Sequence, residues 1–148
     1  MRVAESLEGV DRLFLDTAPV IYFVEQNPEF IARVEPIFAR LDLDIIGVVS
    51  AVTISECLVF PIKRGLTSLE QAFEDIFNSD RVNFIVTNRE IAKLTAIIRA
   101  KYNFQLPDSL QIATAIVSEC DAFLTNDIAL KKVTEIRAIV ASDLEVTS

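Results

Sequence analysis

Residues 12–28 read RLFLDTAPVIYFVEQNP, and the order of that stretch decides the fold class: a short apolar run closed by an acid, then a segment of helical period. The run Arg12–Leu15 suits a buried strand, and Ala18–Glu25 suits a helix. The same alternation recurs along the chain. Strand-like runs stand at Arg12–Leu15, Ile45–Val49, Val82–Val86, Ala122–Leu124 and Ile136–Val140, with longer helical segments between them. This pattern predicts an α/β domain with a mainly parallel sheet of about five strands. Right-handed crossovers between parallel strands place helices on both faces.

The helical segments carry their own punctuation. Pro28, after Asn27, is placed as a first-turn residue of a helix over Glu29–Leu41, which makes a helical hairpin with Ala18–Glu25. Ile54–Lys63 is ended by Gly65, and Thr67 opens the next helix with Glu70 as its capping-box partner. That helix points Leu69, Phe73, Ile76 and Phe77 to one side. Over Arg89–Tyr102, Ile91, Leu94, Ile97 and Ile98 repeat at helical spacing and read as core. Pro107 opens Asp108–Cys120, apolar over most of its surface as a buried helix is. With 148 residues, no repeat and no Gly-, Pro- or Ser-rich linker, the expectation is a single domain over 1–148 with its core at about 12–140.

Composition narrows the function. Hydrophobic residues make up 51% of the chain, with three Gly and five Pro, which excludes disorder. The longest uncharged apolar stretch, Ile45–Ser55, falls short of the roughly 20 residues a membrane span needs. MRVAESLEGVDR lacks the basic-then-apolar order of a signal peptide, so a cytoplasmic location is expected and no membrane. Cys57 and Cys120 have no CxxC spacing and read as two buried thiols. The chain has no His, which removes Ser-His and Cys-His nucleophile pairs and histidine-ligated zinc. A net charge of −8 argues against a broad basic face gripping nucleic acid through phosphates alone.

Four acids fall where strands give way to helices. Asp16 ends the first run, Glu56 lies just past the second, and Asp127 just past the fourth; Asp108 opens a helix. In an open parallel sheet the C-terminal strand ends share one edge and ligands bind in the crevice there. Carboxylates gathered at that edge repel one another unless a cation sits between them, and an oxygen-only set suits Mg²⁺ or Mn²⁺. Each acid also has a purely structural explanation. Asp16 and Asp127 suit N-caps, Thr53 and Glu56 match a capping box, and Asp108 complements a helix dipole.

Taken together, LFLDTAPVIYFVEQNP, TISECLV, LPDSLQIATAI and FLTND, in that order from about Arg12 to Val140, resemble the PIN domain, and within it the VapC-like toxins of bacterial and archaeal toxin–antitoxin pairs. The resemblance implies a three-layer α/β/α sandwich and a metal-dependent ribonuclease using Mg²⁺ or Mn²⁺. Its acidic residues match Asp16, Glu56, Asp108 and Asp127, with Asp16 and Asp108 as core ligands. Thr17 and Thr125 match supporting hydroxyls. It further implies an RNA substrate, an antitoxin protein as partner and a homodimer. Ile21, Tyr22, Phe23, Phe30, Ile37 and Phe38 are candidates for partner contacts, against an ordinary role in the core. Lys63, Arg64, Arg89, Arg99, Lys101, Lys131 and Lys132 are candidates for phosphate contacts, against plain solvated surface. Two departures stand out: Ser109 follows the third acid where the family often has Ala, and about ten residues precede the first strand.

Two other readings compete. One is a non-catalytic module that uses the acids only to hold metal or a partner. The other is a phosphotransfer domain forming an aspartyl-phosphate at Asp16. The dehalogenase version of that chemistry wants a second Asp where Ala18 stands.

Overall fold

The run Arg12–Leu15 forms strand β1 and takes the middle of the sheet in the computed structural model, which describes residues 1–146. β2 (Ile46–Val49), β3 (Val82–Phe84), β4 (Ala122–Thr125) and β5 (Arg137–Val140) complete it. Their order is β3-β2-β1-β4-β5, and every pairing is parallel.

Alternation along β1 divides the core in two. Leu13 and Leu15 point to one side, where they join Val20, Ile37, Cys57 and Phe73. Phe14 points to the other, with Val48, Ile98, Ile112 and Phe123. Facing Phe123 across the β1–β4 register, its ring stacks at 5.0 Å between centroids. Accordingly α1 (Val3–Ser6), α2 (Thr17–Val24), α3 (Ile31–Leu41), α4 (Ala51–Arg64) and α5 (Thr67–Phe77) cover one face. α6 (Arg89–Tyr102) and α7 (Leu106–Val117) cover the other. The result is the expected three-layer sandwich. Among the described residues no helix is long and apolar enough to cross a membrane.

Several local expectations are corrected. Ser50 caps α4 by accepting the Val52 N–H at 3.0 Å, so the helix starts three residues before Ile54. Thr53 then lies inside the first turn, and no Thr53–Glu56 capping box forms. Thr67 is likewise already helical; the cap position belongs to Leu66, which has no side-chain oxygen to offer. Pro28 sits in a turn whose N–H groups at Glu29 and Phe30 are satisfied by Asn27 Oδ1, and α3 begins only at Ile31. β3 stops at Phe84, which pairs with Val49, the last residue of β2. α7 begins at Leu106, two residues before Asp108, and ends at Val117. Gly65 does end α4, in the left-handed conformation at φ 66°.

The segment before β1 is built into the molecule. Val3, Leu7 and Val10 are buried in the core. Arg137 Nη2 donates to the Ser6 carbonyl at 2.7 Å, and Glu145 N–H donates to the Met1 carbonyl at 2.9 Å. In the α2–α3 hairpin Ile37 and Phe38 are buried, Tyr22 stacks on Phe30 and Phe23 on Phe38, each at 4.3 Å. Ile37 and Phe38 belong to the core, and half-buried Ile21, Tyr22, Phe23 and Phe30 pack against it. Cys57 is buried and Cys120 half-buried, and both are free thiols.

Candidate metal centre

Because all five strands run the same way, their C-terminal ends share one edge. β1 sits where the strand order reverses, with β2 on one side and β4 on the other. At such a switch point the chain leaves neighbouring strands in opposite directions and opens a crevice.

Asp16 follows β1 directly into that crevice. Its N–H donates to the Leu124 carbonyl at 2.9 Å, continuing the β1–β4 ladder by one bond. Asp16 Oδ1 accepts the Thr17 N–H at 2.9 Å, so the carboxylate does cap α2. Asp16 Oδ2 accepts the Thr125 hydroxyl at 2.8 Å. Thr125 closes β4, is fully buried, and its oxygen also accepts the Asp127 N–H at 3.0 Å. Asp127 caps the 3-10 turn Ile128–Lys132 through the Ala129 N–H. Between them, Asn126 donates to the Tyr22 hydroxyl at 3.0 Å and accepts the Ser142 N–H at 2.9 Å. The loop after β4 is thereby pinned on three sides.

Glu56 and Asp108 come from two further helices. Thr17 Oγ1 donates to Glu56 Oε1 at 2.6 Å, linking the residue after Asp16 to the second turn of α4. Both expected supporting hydroxyls therefore bond to acids. Asp108 lies in the first turn of α7. Asp16 and Asp108 are half-buried, whereas Glu56 and Asp127 are exposed. The site has a recessed pair and an open pair.

Burial, above all, raises the Asp16 carboxyl above its ordinary value. Donation from Thr125, Thr17 N–H and Gln111 pulls it back, and the charge of Glu56 pushes it up again. Asp108 is raised by burial first and then by the charges of Asp16, Asp127 and Glu56. The four acids thus act on one another through space. Among the described residues none of them joins a salt bridge. Capping and charge clustering coexist here, since a carboxylate that caps a helix keeps lone pairs for a second partner.

Among the described residues no three carboxylates or thiols stand close enough to enclose an ion by themselves. An all-oxygen set still fits Mg²⁺, which keeps several waters and is held by one or two carboxylates rather than by an all-protein cage. Mn²⁺ accepts the same ligands. Half-buried Asp16 and Asp108 and exposed Glu56 and Asp127 supply carboxylate oxygens of that kind. Of the candidate phosphate-binding cations, Lys101 pairs with Glu135 and Lys131 with Asp143.

One group of residues escaped the sequence reading. Beneath the acids, Ser50 Oγ donates to Gln111 Oε1, Gln111 Nε2 donates to Thr53 Oγ1 at 2.8 Å, and Thr53 donates to the Leu15 carbonyl at 3.1 Å. A lone amide in the largely apolar run Leu110–Val117 was the available signal. Among the described residues, Ser109 Oγ is the one buried side-chain polar atom without a hydrogen-bond partner.

Comparison with known proteins follows the same lines. The PIN domain family model matches residues 13–136; the curated proteins give no match. A chain of VapBC2 from Rickettsia felis, bound to a promoter DNA fragment, superposes with a TM-score of 0.71 at 17% identity, covering 87% of this chain and 98% of that one. A chain of a toxin–antitoxin complex from Klebsiella pneumoniae gives 0.69 at 18% identity over 87% and 97%. VapC20 from Mycobacterium tuberculosis, a sarcin-ricin loop cleaving toxin, gives 0.66 at 12% identity over 84% and 98%. Structural likeness at such identities speaks to fold alone, but the family match runs from within β1 to the residue before β5 and contains all four acids. On that match, this chain belongs to the PIN domain family.

Proposed function

We propose that the chain is a metal-dependent endoribonuclease, using Mg²⁺ or Mn²⁺ at Asp16, Glu56, Asp108 and Asp127, and that it is the toxin of a toxin–antitoxin pair. The carrying observation is the recessed pair: Asp16 and Asp108 lie half-buried at the switch point, raised by burial and by neighbouring acids, with no salt bridge to either among the described residues. Such a pair gains most from a divalent ion. When bound, the ion supplies an acidified water and stabilises charge developing on the phosphate.

The protein's own part is orientation. Thr125 and the Thr17 N–H hold the two oxygens of Asp16 at fixed angles, and Thr17 steers Glu56 towards the same opening. Glu56, exposed, is placed to accept a proton from the attacking water, and Asp127 to hold water on the far side. RNA as substrate is supported by family membership and by the sarcin-ricin loop cleavage ascribed to VapC20. An antitoxin partner is supported by the toxin–antitoxin complexes that share the fold, and a homodimer is expected with it.

Asp16→Asn tests the reading directly. Loss of partners behind a metal ligand commonly costs 10–100-fold, so loss of a direct ligand should lower RNA cleavage in Mn²⁺ by more than about 100-fold. Cleavage by this variant at the wild-type rate would sink the proposal. Mn²⁺ binding by the wild type without cleavage of any RNA tested would favour the non-catalytic module instead.

A further inference from the structure

The three acids that come from β1, α4 and α7 each stand close in sequence to one member of the buried polar chain. Leu15, whose carbonyl ends that chain, immediately precedes Asp16; Thr53 precedes Glu56 by three residues on α4; Gln111 follows Asp108 by three residues on α7. Ser50, Thr53 and Gln111 are 0%, 0% and 1% exposed. Every hydrogen-bonding direction in the chain is defined. Ser50 Oγ accepts the Val52 N–H and donates to Gln111; Thr53 Oγ1 accepts from Gln111 and donates to Leu15. A hydroxyl has one proton to give, so neither group can turn without leaving a buried partner unpaired. The interior packing cannot supply this register, since apolar contacts between helices tolerate small slips that a directed hydrogen bond does not.

We infer that Gln111, held by Ser50 and Thr53, is a positioning residue that sets the distances between Asp16, Glu56 and Asp108, and so the affinity of the site for a divalent cation. The inference rests on the metal-binding reading of the acids. Gln111 touches neither substrate nor ion.

Binding of Mn²⁺ to the full chain, measured by calorimetry alongside melting temperature, tests this without any RNA. Gln111→Met keeps length and volume but removes both hydrogen bonds; it should weaken Mn²⁺ binding by about 10–100-fold, the usual effect of losing a residue behind the ligands. In Thr53→Val/Gln111→Met the Gln111–Thr53 contact becomes apolar on both sides, but the Ser50 hydroxyl and the Leu15 carbonyl lose their partners, so the melting temperature should lie at or below that of Gln111→Met. If the network sets geometry, Mn²⁺ affinity stays low in that double variant. Thr95→Val, which loses a buried hydroxyl bonded within α6, should lower the melting temperature and leave Mn²⁺ binding unchanged. Wild-type Mn²⁺ affinity in Gln111→Met, or its full return in the double variant, overturns the inference while leaving the metal site intact. Absence of Mn²⁺ binding by the wild type overturns the metal reading itself, and the inference with it.

Discussion

Two carboxylates in this protein meet opposite circumstances. Glu135, ahead of β5, accepts hydrogen bonds from the Tyr102 and Thr134 hydroxyls and lies 3.3 Å from Lys101 Nζ. Led by the Tyr102 bond, these hold its carboxyl down at about 2. Asp16 also accepts two close hydrogen bonds, yet burial drives it the other way. Neutral donors orient a carboxylate; they do not offset its removal from water when no positive charge is near. Glu135 is complete within its own chain. Among the described residues Asp16 has no salt-bridge partner, and the proposed divalent ion would supply the missing charge.

Supplying that charge gives the largest expected effect. Divalent cation at 1,000 times its dissociation constant should stabilise the wild type by about 4 kcal/mol, read as a rise in melting temperature of roughly 10 °C. Asp16→Asn should abolish the rise, and Glu135→Gln should leave it whole. An equal rise in wild type and Asp16→Asn would erase the distinction between the two acids.

The converse change acts on the satisfied acid. Tyr102→Phe removes the hydroxyl that donates to Glu135 and accepts the Thr134 N–H at 3.1 Å, and should cost about 1–2 kcal/mol in chemical denaturation. Without added metal, Asp16→Asn should shift stability the other way, because the folded state no longer holds a half-buried negative charge. A lower melting temperature for this variant in chelator would contradict the raised Asp16 carboxyl.

The smallest effect is in the pH dependence, and the two acids carry opposite signs. Glu135 has a folded value near 2, below its ordinary 4.5, so its contribution is present above pH 4.5 and lost as pH falls towards 2. As Glu135 is partly exposed, the loss should be below about 1 kcal/mol. Asp16 has a raised folded value, so its protonation favours the folded state and stability declines as pH rises above its ordinary 3.8. The stability difference between wild type and Glu135→Gln should be constant above about pH 4.5 and shrink as pH falls below it.

Legibility in the sequence followed the length scale of the interaction. Strand positions and the two-sided cover were readable because alternation and helical period are local, and β1 was found to its residue limits. Asp16 and Asp127 were readable as caps and as candidate ligands together, and the structure bears out the caps. Caps misled where two candidates competed: Ser50 and Thr53 both precede apolar helical sequence, and only the folded chain shows that Ser50 takes the cap and frees Thr53 for Leu15. Gln111 was hidden because its partners lie 58 and 61 residues away. The first helix was passed over although Val3, Leu7 and Val10 stand at helical spacing, since four residues of helix have little intrinsic stability and depend on the core they enter.

The pairing of β1 with β4 bears on how the protein is made. The Thr125 hydroxyl that orients Asp16 lies 109 residues later in the chain. At about 5–20 residues per second, ribosomal synthesis separates the two by roughly 5–20 s. For most of that interval the orienting hydroxyl, Asp108 and Asp127 have not yet been added to the chain. A strand order that places the first strand at the centre therefore delays assembly of the acidic site until nearly all of this chain has been translated, long after the residues that begin it.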